Sequence, residues 1–306
     1  MKVVLDLDAL VATGQLAPEE AERLARLGRR STGTLAFNLL VGFGVMAVAA
    51  GVLALVPESG AAIAIGFLLA LVGIGISRLA GEDWGVLAQI CIVAGALIGG
   101  GGVLTVGAFA ARAFLTVALV YGIAAGVVRN GLLAALAVLA VSGAVGAETG
   151  YMESDGYAAA LPESSVAILV MLVTSGALAL LSRVWAGEAR RLLLVGAATA
   201  LVVANFGFWV GSLWGDEIWF GGKLFLDVPE EVFAAVWAVL LIGTGVYAAR
   251  VGARWTLNCA AVFAAVHLFS QWFDRLEATP EAVLAAGIVA IAMALGLAFV
   301  NRHLPG

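Results

Sequence analysis

About ten stretches of roughly 20 apolar residues, each closed off by charge, proline or a glycine-polar break, constrain this chain more than any other feature. A helix needs ~20 such residues to cross the hydrocarbon core of a bilayer, and inside lipid only a helix or a closed barrel satisfies its own backbone. The runs extend from Gly33 to Val56, Ser59 to Leu79, Trp84 to Leu104, Arg112 to Val128, Gly131 to Ala147, Ser164 to Ser182, Arg191 to Leu213, Glu230 to Ala249, Trp255 to Phe273, and Pro280 to Asn301. They predict an all-α fold, a polytopic transmembrane helical bundle of about ten spans. The boundary between the third and fourth is the least marked, because Arg112 is the only charge between Trp84 and Val128. Arg112 and Arg129 would lie ~25 Å apart along a helix, far enough for each to reach an opposite interface.

Composition agrees: 63% hydrophobic residues against 12% charged excludes an ordinary globular surface. The first run begins near Thr34, behind a mixed acidic and basic segment, so no removable signal peptide is expected. A net charge of -5 without any basic tract interleaved with aromatics gives nucleic acid nothing to bind. Cys91 and Cys259 both fall within apolar runs without metal-ligand spacing, and read as small core residues.

Lys and Arg positions set the orientation, since positive residues are retained on the cytoplasmic side. Placing both termini in the cytoplasm leaves only Arg112, Lys223 and Arg275 outside, of 16 Lys and Arg in the chain. Tryptophans at 84, 185 and 255 then mark the inner interface and those at 214, 219 and 272 the outer one. Pro18, Pro57, Pro162, Pro229 and Pro280 each precede Glu, a pairing suited to the first turn of a helix and to its dipole.

Residues 1–32 read as a small cytoplasmic helical hairpin ahead of a transmembrane region at 33–306. "DLDALVA" forms one helix, "TGQLA" turns, and Pro18 opens a second helix on which Ala21, Leu24 and Leu27 recur at helical spacing. This apolar face is the candidate surface for a partner. The layout, with "PEEAERLARL" directly before the first span, resembles the bacterial predicted membrane proteins grouped as domain of unknown function 2157. The last two spans, "LNCAAVFAAVHLFSQWFDRLE" and "EAVLAAGIVAIAMALGLAFVNRHL", are similar to that family's C-terminal region through Asn258 and the Trp272-Phe273 pair. The resemblance implies a multi-pass protein of the bacterial inner membrane with an envelope protein as partner, and it supplies no activity, cofactor or catalytic residue.

Polar residues within lipid are costly and are the default functional suspects. His267 and Gln271 stand four apart on one face of the ninth run, with Asn258 about half a turn out of phase. Together His and Gln can relay a proton or bind a substrate group, or they can hydrogen-bond to neighbouring helices. Asn205 and Ser212, with Trp209 alongside, offer the same pair of readings in the seventh run. Asn38 and Gln89 lie near span ends, where hydration suffices. In "GALIGGGGVLTVG" the spacing of Gly95 and Gly99 favours close helix packing, as does that of Gly122 and Gly126. Unwinding at Gly99, Gly100, Gly101 and Gly102 would instead expose backbone to a substrate. No Lys-Ser/Thr follows these glycines, so they are not a phosphate loop.

The acidic outer loops carry Glu148, Glu153, Asp155, Glu163, Asp216, Glu217, Asp227, Glu230 and Glu231. Clustered oxygens attract divalent cations, yet depletion of Lys and Arg outside produces the same pattern and no EF-hand spacing exists, so no metal site is assigned. Neither HExxH, GxSxG nor a paired intramembrane Asp occurs, so an enzyme is not expected. Three classes remain: a structural or regulatory envelope protein, a secondary transporter of a small solute resembling the drug/metabolite transporter fold, and, most distant, a membrane-embedded enzyme. Absence of Asp or Glu deep in any run tilts the reading to the first.

Overall fold

Proline and helix-capping chemistry divide the chain into helices that the computed structural model describes over residues 10–11, 13–55, 57–80, 84–148, 164–220, 223–276 and 279–303. For residues 24–39 only the helical backbone is described. Two compact units result, Met1–Ala108 and Phe109–Gly306.

The first unit holds α1 (Pro18–Leu55), α2 (Ser59–Leu79) and α3 (Gly85–Val106). Pro18 opens α1 as anticipated, with Glu19 and Glu20 in its first turn. The helix then runs straight through residues 32 and 33, where the sequence reading put a boundary between hairpin and span. Gly28 and Gly33 cost a helix only about 1 kcal/mol each, and no proline intervenes before Pro57. The antiparallel pair α2 and α3 packs through glycine. A Cβ at Gly66 would sit 2.3 Å from Gly99 N, one at Gly73 2.7 Å from Ala88 O, and one at Gly102 2.8 Å from Ser59 O. Such approach of two backbones is the means by which helices associate where burial from water gives no drive.

The second unit begins with α4 (Ala111–Val128) and α5 (Gly131–Glu148). Between them Arg129 takes the left-handed conformation, φ 55°, as the C-cap of α4, and Asn130 Oδ1 accepts Leu133 N–H at 3.0 Å to start α5. Gly143 leaves room for the Phe114 ring, which a Cβ would approach to 2.5 Å. There follow α6 (Ser164–Leu181), α7 (Gly187–Trp214), β1 (Asp216–Phe220), β2 (Lys223–Val228), α8 (Glu230–Val251), α9 (Arg254–Leu276) and α10 (Pro280–His303). Ser175 Oγ donates to Ala197 O at 2.9 Å, tying α6 to α7.

The strands correct the reading of 216–228 as an acidic loop. β1 and β2 pair antiparallel, Asp216 with Val228 and Phe220 with Lys223, with an irregularity in register between Ile218 and Trp219. Short apolar, aromatic-rich runs on both sides of Gly221-Gly222, Ile218-Trp219-Phe220 and Leu224-Phe225-Leu226, carry the hairpin signal in the sequence.

Seven helices among the described residues, α2, α3, α4, α6, α7, α8 and α10, are long and apolar enough to cross a membrane. This is a helical membrane protein. The remaining apolar segments are shorter, at Leu40–Gly51 in α1 and Gly131–Ala147 in α5, and α9 carries Asn258, His267, Ser270, Gln271, Asp274 and Arg275. Large apolar side chains of α10, among them Leu284, Ile288, Ile291 and Leu295, are exposed, as a lipid-facing helix requires.

Candidate functional site

Three helices of the second unit bring the intramembrane polar residues together. Gly207 and Gly211 give α7 a bare strip: a Cβ at either would lie 2.7 Å from the side chain of Ile168 or Phe233, respectively. α6 and α8 therefore seat closely on α7, and α9 completes the group. At its centre is Trp237 of α8, 1% exposed and packed with Ile168, Phe208, Phe233, Leu241 and Phe263. A buried indole N–H needs an acceptor. Asn205 of α7 supplies it, its Oδ1 accepting Trp237 Nε1–H at 2.9 Å, while Asn205 Nδ2 donates to Leu201 O at 2.8 Å. Both ends of the amide are thus held.

One edge of Trp237 meets the His267 ring of α9, with centroids 4.9 Å apart and planes at 71°. A turn further along α9, Gln271 Nε2 donates to Ser212 O on α7 at 3.0 Å. The Ser212 hydroxyl is engaged within its own helix, donating to Trp209 O at 2.8 Å. Ser270 Oγ likewise donates to Val266 O at 2.9 Å and His267 O at 3.1 Å. Beside this layer lies a cavity of about 110 Å³, whose walls include Leu172, Asn205, Trp237, Thr244, Thr256 and Cys259. Trp209 Nε1, His267 Nδ1 and Trp272 Nε1 are buried without a hydrogen-bond partner.

Asn205, Ser212, His267 and Gln271 therefore converge, whereas Asn258 sits on an exposed face of α9. The half-turn phase difference along α9 separates them. Gly99, Gly100, Gly101 and Gly102 belong to the other unit, and α3 is unbroken through them. The unwound arrangement is not adopted there, because α2 packs on this stretch and keeps the helix hydrogen bonds intact. Gly122 and Gly126 also depart from the packing reading: a Cβ at either meets nothing within 4 Å. Of the apolar face near the N-terminus, Ala21 is half-buried, and the side chains of Leu24 and Leu27 lie outside the described residues.

Sequence reasoning passed over Trp237, although a tryptophan eight residues into an apolar helix and far from either interface carries the signal of a buried N–H seeking an acceptor. It also treated Asp216 only as one of the outer acids. Asp216 is buried, and its Oδ2 accepts Ser165 N–H at 2.8 Å, capping the start of α6 from a position distant in sequence. Gly215 makes this possible: its φ is +67°, and a Cβ there would stand 2.9 Å from Val228 O. Among the described residues no three His, Cys, Asp or Glu gather to hold a metal. Glu153, Asp155, Glu163 and the side chain of Glu148 lie outside those residues.

No protein-family model, no curated protein and no solved structure matches this chain.

Proposed function

We propose that the chain is a structural or regulatory multi-pass protein of the bacterial inner membrane, acting through a protein partner and carrying no catalytic chemistry of its own. The observation that supports this most directly is the engagement of its intramembrane polar groups in helix-to-helix hydrogen bonds, Trp237 with Asn205 and Gln271 with Ser212. Groups that line a solute pathway must exchange partners as the solute passes, whereas these join α7, α8 and α9 to one another. About ten spans with both termini cytoplasmic, and membership of the domain of unknown function 2157 family, belong to the same reading and rest on the Lys/Arg distribution and the N- and C-terminal motifs. The test is affinity purification from native membranes of the full chain and of a chain lacking residues 1–30. A specific partner lost on deletion is expected; recovery of no partner by either form would refute the scaffold.

A second reading, a secondary transporter of a small solute, draws on the cavity beside Asn205 and on the unpartnered Nδ1 of His267. It requires solute flux in reconstituted vesicles that depends on pH and disappears in His267→Ala. Flux unchanged in a folded variant would eliminate this role for His267.

A further inference from the structure

Within the second unit, α4, α5, α6 and α7 border a groove of about 330 Å³. Leu178, Leu193 and Gly196 contribute to its walls, and Gly122 and Gly126 of α4 leave its floor bare. These two glycines differ from Gly143, Gly196, Gly207 and Gly211 of the same unit, each of which already faces a side chain at 3.0 Å or less from its would-be Cβ. At Gly122 and Gly126 nothing lies within 4 Å and both residues are exposed, so no part of the described chain fills the space.

One end of the groove is marked by Trp185, 55% exposed, in the turn between α6 and α7. Positive charge collects at that end. Arg183 lies in the turn, Arg190 and Arg191 open α7, and Arg129 closes α4. Arg191 is anchored by a salt bridge to Glu188 and donates from Nη2 to Arg129 O at 3.1 Å, which places its head at the end of α4. Among the described residues Glu188 is the acid paired with this group, through Arg191, and Arg183 and Arg190 are exposed.

An apolar trough running to a tryptophan and a basic cluster matches a molecule with a hydrocarbon tail and an anionic head. A second copy of the chain matches less well. Parallel two-fold packing through α4 would set each arginine cluster against its like.

We propose that this groove binds an anionic phospholipid, one acyl chain lying over Gly122 and Gly126 and the phosphate held by Arg183, Arg190 and Arg191. The test uses the full chain in phosphatidylcholine vesicles containing a trace of phosphatidylglycerol or phosphatidylcholine that carries the same photoactivatable acyl chain. Labelled peptides from α4, α6 and α7 are quantified by mass spectrometry.

Phosphatidylglycerol is expected to label these peptides more than phosphatidylcholine, by about fivefold for each arginine that meets the phosphate. Arg183→Gln/Arg190→Gln should remove most of that preference while leaving the labelling by phosphatidylcholine. Gly126→Leu places its side chain in the open groove and should reduce labelling by both lipids, with helix content unchanged by circular dichroism. Equal labelling by the two lipids in the wild type would overturn the proposal, as would undiminished labelling in a folded Gly126→Leu chain. Should Gly126→Leu fail to fold, the arginine variant alone decides. Conversion of a dimer to a monomer by Gly126→Leu, without a change in lipid labelling, would assign the groove to a second copy and equally overturn it.

Discussion

Replacing Gly66 by Ala tests whether contact between backbones holds α2 to α3. The added Cβ would lie 2.3 Å from Gly99 N, 2.5 Å from Gly99 Cα and 2.6 Å from Gly95 O. All three are backbone atoms of a hydrogen-bonded helix and cannot rotate aside. Non-bonded carbon contacts settle at about 3.5–4.0 Å, so the helices must part by roughly 1 Å, and a gap of that size forfeits a quarter to a half of each dispersion well along the seam. Overpacking of this kind costs about 1–3 kcal/mol. Gly75→Ala is the matched control: it lies in the same helix, its Cβ meets nothing within 4 Å, and Ala favours helix over Gly by about 1 kcal/mol. That gain is common to both variants and cancels, so they should differ by the overpacking cost alone, about 1–3 kcal/mol. Cys91 reports the opening, since it is buried in α3. In a Cys259→Ser background, the rate of maleimide labelling of Cys91 should be at least about fivefold faster in Gly66→Ala than in Gly75→Ala. Rates that agree within about twofold, equivalent to less than 0.5 kcal/mol, would refute the account of the seam.

Other expectations concern the second unit. Asn205→Leu leaves the Trp237 N–H buried without an acceptor and should cost about 1–3 kcal/mol. The double-mutant cycle with Trp237→Phe should return a coupling of about 0.6 and at most about 1.7 kcal/mol, read from detergent-induced unfolding; zero coupling would remove the hydrogen bond from the account. Asp216→Ala should destabilise the start of α6 by about 0.5–2 kcal/mol, whereas Asp216→Asn keeps an acceptor oxygen and should lose less. Hydrogen exchange at the Ser165 amide discriminates them, and equal losses would contradict the cap. Gly215→Ala forces a side chain onto a backbone at φ +67°, ψ −161°, a region essentially reserved for glycine, beside Val228 O, and should cost more than the roughly 1–3 kcal/mol of the conformation alone. Thermal unfolding matching the wild type would sink that expectation.

Much of the architecture is legible in the sequence because its determinants are local. A run of about 20 apolar residues specifies a membrane helix wherever it occurs, and the Pro-Glu pairs at Pro18, Pro229 and Pro280 sit at helix starts because ring geometry and dipole act within one turn. The segment at 216–228 was readable as a hairpin by the same kind of local rule, yet its acidic residues drew the reading toward a loop. Continuity of α1 through residue 33 also follows from a local fact, the lack of any proline between Pro18 and Pro57.

Partnership is another matter. Gly95 with Gly99 and Gly122 with Gly126 are the same motif in sequence, yet the first pair lies at the seam with α2 while the second borders an open groove. His267 and Gln271 were assigned one face of a helix by their spacing, and only the fold set Trp237 against the first and Ser212 O against the second. Asn205 was visible as a polar residue in lipid, but its acceptor role depends on a tryptophan from another helix. Hydropathy and period define what each helix is and which of its faces is special. They carry no information about which other face meets it, because that choice is made by shape and hydrogen-bond complementarity between residues far apart in the chain.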